Sequence, residues 1–265
     1  MSIEQDRSYF NDSEAYERFM RRWSRAAGAE FLVWIAAPKA ARWLDVGCGT
    51  GVFTELVLDR CAPSEVIAVD PKPGQIEHAR SQPVGQRAAF QIGDSQNLPF
   101  PDHAFDVVAS ALVINFIPDR ALAMAEMRRV SRSHATVAGY VWDFAGERSP
   151  NACVRTGLRQ LGIESVVVPG TAASTLEALD AVFNAAGFQD IATRAIDVTI
   201  RFPSFEDLWR AQTPVYSPTT QAVAALSDAD RKRLIDYVRA AFPSQSDGTL
   251  ACTARANAIK ARAPD

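Results

Sequence analysis

Hydrophobic and polar positions along this chain follow one of two periods, and the changes of period predict its elements. Residues 14–26 carry Tyr16, Phe19, Met20 and Trp23 at i, i+3, i+4 and i+7, the pattern of an amphipathic helix. Asn11 and Glu14 have the spacing of a capping box at its start. A second helix over 29–36 is expected to stop at Pro38. Residues 41–46 are apolar apart from Arg42 and Asp45, as in a central strand covered on both faces. Apolar runs at 66–70, 90–95, 105–112 and 134–142 predict four more strands. Pro73 suits the first turn of a helix reaching about residue 81, and Asp119 suits the N-cap of one reaching 131. Strands alternating with helices predict an α/β fold with a mostly parallel, doubly wound sheet.

After Asp143 the pattern loosens into a stretch rich in Gly, Ser and Val that lasts to Ser174. That is too long for a plain connection, so it predicts a lid or cap with structure of its own. Ser174 and Glu177 form a second capping box; Leu176, Leu179, Phe183 and Ala186 share a helix face, which Gly187 ends. Residues 191–200 alternate as a strand, 205–211 and 227–242 read as helices, and a turn at 244–248 precedes a final strand over 249–261. The chain shows no internal repeat.

Candidate chemistry concentrates where the first strand breaks, at Asp45-Val46-Gly47-Cys48-Gly49-Thr50-Gly51. Alternate glycines let the backbone turn sharply and approach a ligand closely. The helix that follows offers free N–H groups to a polar or anionic partner. The dinucleotide fingerprint G-x-G-x-x-G is not met, because its third position is Val52 and the third glycine comes early, at Gly51. Asp45 precedes the turn, where it could accept from a bound ammonium. Asp70 ends the second strand about 20 residues beyond the loop, the distance of a ribose-binding carboxylate. Asp94 and Ser95 close the third strand, again at the edge where open α/β sheets bind ligands. Asn115 is a polar group in apolar company after the fourth strand; it either satisfies local backbone or points at a substrate.

Composition narrows the classes. At 265 residues with a net charge of −3, the chain suits one large domain or one domain with an inserted cap, and carries no nucleic-acid footprint. No apolar run reaches membrane-spanning length. The four cysteines are widely spaced and form no metal motif, and with no secretory signal a reduced, cytoplasmic setting is expected. Cys48 is best read as a small residue that packs well within the loop. His78 and His103 fall on exposed segments, and His134 on the edge away from the expected site.

The ordered set of glycine loop, Asp70, Asp94-Ser95, Leu98-Pro99-Phe100-Pro101-Asp102 and Phe105-Asp106-Val107-Val108 resembles the class I S-adenosylmethionine-dependent methyltransferases. Within them it is most similar to the small-molecule enzymes related to ubiquinone and menaquinone biosynthesis. The match runs over about residues 40–143 in motif order. The resemblance implies a Rossmann-like sheet of seven strands with the last antiparallel, in a single domain over 1–265. It also implies an N-terminal helical cover over 1–40 and lid or cap insertions at 144–174 and 202–247. The implied cofactor is S-adenosyl-L-methionine, leaving as S-adenosyl-L-homocysteine, and no metal. Gly47, Gly49 and Gly51 would make room for the methionine part, with Cys48 beside them in the cofactor site and Asp45 facing the ammonium or ordering the loop. Asp70, beside Pro71, would bind the ribose hydroxyls, and Asp94 with Ser95 would read the adenine. Leu112 and Trp23 would complete the cofactor site, although an aromatic stripe holding Tyr16 and Trp23 marks core equally well. Asn115, Tyr140 and Trp142 would face a small-molecule acceptor, and Asp143 is the candidate base if one is used. A cofactor-binding protein without transferase activity and a nicotinamide-dependent oxidoreductase are the alternatives.

Overall fold

The computed structural model describes residues 13–163, 167–213 and 218–265, with backbone alone for 13–19 and 218. A first helix, α1 (Ser13–Ile35), leads into β1 (Arg42–Val46), α2 (Val52–Arg60), β2 (Glu65–Asp70), α3 (Pro73–Ser81) and β3 (Ala89–Ile92). Then come β4 (Phe105–Ala111), α4 (Arg120–Val130), β5 (Ser131–Trp142), α5 (Ala152–Gln160), α6 (Leu176–Ala185) and β6 (Gln189–Phe202). Three helices, α7 (Phe205–Gln212), α8 (Pro218–Ala224) and α9 (Asp228–Ala241), precede β7 (Leu250–Arg262). The strands form one seven-stranded sheet in the order β3-β2-β1-β4-β5-β7-β6. Neighbours from β3 to β5 are parallel, and β7 runs antiparallel to both β5 and β6.

Both faces of the sheet are covered, as the apolar runs require. Trp43, Val107, Ala138 and Tyr140 point into the layer holding α1, α2 and α7. Their strand neighbours Leu44, Val108, Val137 and Val141 point into the layer holding α4 and α6. Alternate residues of one strand thus feed two separate cores. The chain leaves β1 towards β2 and returns at β4, so the carboxyl ends of β1 and β4 border a crevice where the winding reverses.

Several local expectations change. The two expected N-terminal helices are one, because Gly28 is a contact and not a break: a Cβ there would lie 2.8 Å from Leu56 Cδ1. The side chains of Asn11, Glu14, Tyr16 and Phe19, and with them the first capping box, lie outside the described residues. The cap of α6 is Thr175, whose side chain accepts from the Ala178 N–H at 3.1 Å. Ser174, one residue earlier, is fully buried and accepts the N–H groups of Phe144 and Ala145 instead. Helix α8 has no counterpart in the sequence pattern. Asp119 does cap α4, accepting from Leu122 N–H at 3.0 Å, and Pro73 opens α3.

Phe183 of α6 is fully buried and packs on Phe188 with ring centroids 5.1 Å apart. Phe183→Ala is expected to lower unfolding free energy by about 3–5 kcal/mol. In urea this appears as a lower midpoint at an unchanged m-value.

Candidate active site

The glycine loop is built from the end of β1 outward. The N–H groups of Gly47 and Cys48 both donate to the Val69 carbonyl of β2, at 2.8 and 2.9 Å, folding the loop back over the neighbouring strand. Gly47 has φ +79°, and a Cβ on it would lie 2.7 Å from the Val113 side chain. Gly49 has φ +53°, and a Cβ on it would meet nothing within 4 Å. Gly47 is therefore required by packing, whereas Gly49 leaves open space in front of the loop. Asp70 ties the loop to the next element: its Oδ2 accepts from Gly49 N–H at 3.0 Å and its Oδ1 from Lys72 N–H at 2.9 Å.

These elements enclose a cavity of about 350 Å³ at the carboxyl ends of β1, β2 and β4. Nine of the expected site residues line it: Gly47, Cys48, Gly49, Asp70, Pro71, Asp94, Ser95, Leu112 and Tyr140. Leu112 has φ +64°, a left-handed conformation rare for a bulky residue, with its N–H donated to the Tyr140 carbonyl at 2.7 Å. Strain of this kind, about 1–3 kcal/mol, clusters at functional sites.

The other five stand outside the cavity wall. Asp45 lies beneath the loop, 1% exposed, with Oδ2 accepting from Thr54 Oγ1 at 2.6 Å. Its Oδ1 has no hydrogen-bond partner. Trp23 is core: it meets Trp142 edge-on at 6.3 Å, and each ring buries the other. Asn115 donates from Nδ2 to the Pro169 carbonyl at 3.3 Å, tying the turn after β4 to the segment before α6. Asp143 accepts from Gly146 N–H at 2.7 Å and faces Arg148, so it organises the turn after β5 and is not placed to act as a base in this cavity. Sequence reasoning missed Phe53, Lys72, Gln75, Gln96 and Phe116, which also line the cavity. Lys72 and Gln96 are adjacent to expected residues, and loop proximity was the available signal. Phe53 and Phe116 carry no local mark apart from apolarity.

The electrostatics follow from burial. Desolvation pushes the Asp45 carboxyl up to about 7, against the Thr54 hydrogen bond and with help from the Asp70 charge. Asp70 is also raised by burial, opposed by the two backbone donors. Burial and the same two carboxylates push the Cys48 thiol well above its ordinary range, which makes it an inert packing residue. An unpartnered buried oxygen, two carboxylates and an open glycine face together fit a polar ligand that brings donors and positive charge.

Residues 44–138 match the family described as methyltransferase domain. Over 89 residues the chain is 37% identical to malonyl-[acyl-carrier protein] O-methyltransferase of Serratia marcescens, covering 34% of this chain and 33% of that protein. Over 103 residues it is 35% identical to demethylmenaquinone methyltransferase of Roseiflexus castenholzii, covering 39% and 43% respectively. The chain thus matches less than half of the length of these relatives. Among solved structures, it resembles a Haemonchus contortus phosphoethanolamine N-methyltransferase 2 bound to phosphomonomethylethanolamine and S-adenosylhomocysteine. That likeness has a TM-score of 0.59 at 17% identity and covers 98% of this chain and 59% of the other, which shows a shared fold. All residues lining the cavity except Ser24 and Tyr140 fall within the matched segment 44–138, among them the glycine loop, Asp70 and Asp94.

The raised Asp45 carboxyl has a consequence for stability. The folded protein keeps this proton between about pH 4 and pH 7, where the unfolded chain has released it. Stability from this residue therefore falls as pH rises through that window. Asp45→Asn should remove the fall while keeping an acceptor for Thr54. The wild-type minus variant difference, from urea midpoints at several pH values, is expected to slope by up to about 1.4 kcal/mol per pH unit and to level off above pH 7.

Proposed function

We propose that this chain is an S-adenosylmethionine-dependent methyltransferase acting on a small-molecule acceptor. The observation that carries this reading is the pairing of Gly49 N–H with Asp70 beside an open glycine face in the cavity. Gly47, Cys48 and Gly49 hold the methionine portion, and Asp45 beneath them supplies negative charge for its ammonium. Asp70, oriented by two backbone donors, takes the ribose hydroxyls next to Pro71, and Asp94 with Ser95 faces the adenine. The bound sulfonium would supply an already activated methyl group. What remains for the protein is to align acceptor, carbon and sulfur, worth roughly 7–11 kcal/mol of the barrier.

Leu112, Phe116 and Tyr140 give the cavity an apolar part of its wall. None of the three histidines lines it among the described residues. An acceptor that reaches the site already nucleophilic suits such a wall better than one needing a dedicated base. We read residues 1–40 as a cover and the helices of 144–174 and 202–247 as a cap over the acceptor side. Support comes from Arg21 and Arg25 of α1, which both pair with Glu55 of α2. Asn115 and Trp142 then belong to the structural support of the acceptor wall. A cytoplasmic setting accords with four free thiols. No helix among the described residues is long and apolar enough to cross a membrane.

Calorimetric titration with S-adenosylhomocysteine, with NADH as control, tests this reading. The first is expected to bind and the second not, and Asp70→Ala should weaken binding by about 10- to 100-fold through loss of charged hydrogen bonds. Binding of NADH alone would overturn the reading.

A further inference from the structure

Gln96 lies half-buried between two loops that both line the cavity. One is the turn after β3, which holds Asp94 and Ser95. The other follows β4 and holds Phe116, Ile117 and Pro118 before Asp119 caps α4. The Gln96 carboxamide bridges them. Its Oε1 accepts from Asp119 N–H at 3.0 Å, and its Nε2 approaches Asp94 Oδ1 at 3.2 Å and Oδ2 at 3.3 Å. The Gln96 backbone N–H adds a bond to Asp94 Oδ1 at 2.9 Å. The amide orientation is determined by its surroundings, because an N–H faces one end and a carboxylate the other. Only oxygen towards Asp119 and nitrogen towards Asp94 satisfies both.

Helix α4 makes this bridge firm. Asp119 is fixed through its cap on Leu122 N–H. Further along the helix, Glu126 accepts from Leu98 N–H at 2.8 Å and Arg129 donates to the Leu98 and Phe100 carbonyls at 3.0 and 2.8 Å. The loop that carries Asp94 therefore hangs from α4 at two places, and Gln96 is the one next to the cavity. Asp94 itself is exposed, and its carboxylate accepts from the backbone N–H and the Nε2 of Gln96. With Oδ1 held by two donors, Oδ2 keeps lone pairs for a donor arriving from the cavity.

We propose that Gln96 is a positioning and specificity-determining residue for the nucleobase end of the site. The inference rests on the cofactor reading above, in which Asp94 faces the adenine. An exocyclic amino group donates to a carboxylate held in this way. A carbonyl oxygen at the same ring position presents lone pairs to lone pairs and is rejected, since neither partner can then be satisfied. Gln96 sets how strictly Asp94 applies that distinction, because its two N–H groups hold the carboxylate in one orientation.

The test compares S-adenosylhomocysteine with S-inosylhomocysteine by calorimetry on the full chain, as wild type, Gln96→Ala and Gln96→Glu. Alanine removes both arms of the bridge. Glutamate keeps an acceptor for Asp119 N–H but cannot donate to Asp94 and places a like charge beside it. The expected result is a wild-type preference for the adenosyl ligand that shrinks about tenfold in both variants, the size of one well-placed polar contact. Thermal midpoints without ligand should stay within a few degrees, as for a surface substitution. An unchanged preference in both variants, with S-adenosylhomocysteine still bound, would overturn the role of Gln96 while leaving the cofactor reading intact. A glutamate variant with full wild-type preference would equally overturn it, since the Asp119 arm alone would suffice. Failure of the wild type to bind S-adenosylhomocysteine would remove the reading on which the inference stands.

Discussion

The carboxyl edge of the sheet depends on one backbone turn, and that turn depends on what β2 offers to it. Three successive N–H groups, from Gly47, Cys48 and Gly49, leave β1 with no strand to pair with. The Val69 carbonyl takes the first two and the Asp70 carboxylate the third. Left unpaired beside an apolar cavity, each would cost about 1–3 kcal/mol. Asp70 meets the demand from the other side too, because it accepts from Lys72 at the start of α3. One carboxylate therefore fixes the loop, the strand end and the entry of the next helix relative to each other. Positive φ at Gly47 and Gly49 is what lets three consecutive donors converge on so small a region.

That arrangement carries an electrostatic penalty, concentrated where a ligand would relieve it. Asp45 and Asp70 are both buried, which raises both carboxyls, and the Asp70 charge adds to the difficulty of ionising Asp45. Thr54 meets one oxygen of Asp45 and nothing meets the second. Leu112, across the cavity, holds a left-handed backbone that Gly would adopt more readily. An ordinary structural loop would shed such features by substitution at little loss. Their coincidence around one cavity is the pattern of a site whose surroundings hold it in a strained, pre-arranged state.

What was legible in the sequence was what neighbours in the chain decide. The glycine loop, Asp70, Asp94-Ser95, the Asp119 cap and Pro73 at the start of α3 all act over a few residues, and their chemistry shows in their spacing. The central strands were equally legible, because burial on both faces leaves near-continuous apolar runs. Errors arose where distant elements meet. Trp23 and Trp142 cover each other across 119 positions of chain, and no periodicity distinguishes a ring covered by another ring from one covered by a ligand. The pattern splits α1 into two helices around Gly28, a glycine that packs against Leu56 and Tyr140. Ser174 and Thr175 are both good caps by type. Tertiary demand for an acceptor at Phe144 and Ala145 assigns Ser174 to the core and leaves Thr175 to cap α6.

The same division between local and distant separates the two halves of the protein. Identity to its relatives lies over about 90 to 100 residues, while the likeness of fold extends over nearly the whole chain at 17% identity. The first half builds the cavity from backbone turns and strand-end carboxylates, for which few residue types will serve. The second half covers the sheet with helices and the β6–β7 hairpin, and there apolarity at the right period is enough to keep the shape. Such packing tolerates wide substitution as long as volume and pattern are kept. A shape can therefore persist over the second half while its exposed chemistry drifts. Ser174 and Asn257 are the exceptions: Asn257 donates to the Ser174 carbonyl at 2.7 Å, and with Asn115 of the first half they hold the segment before α6 against the turns after β4 and β5. Buried polar groups at such a seam accept few replacements, since each partner left alone would be stranded without water. They fix the segment before α6 against the strand-end turns while the apolar contacts around it answer only to volume and pattern.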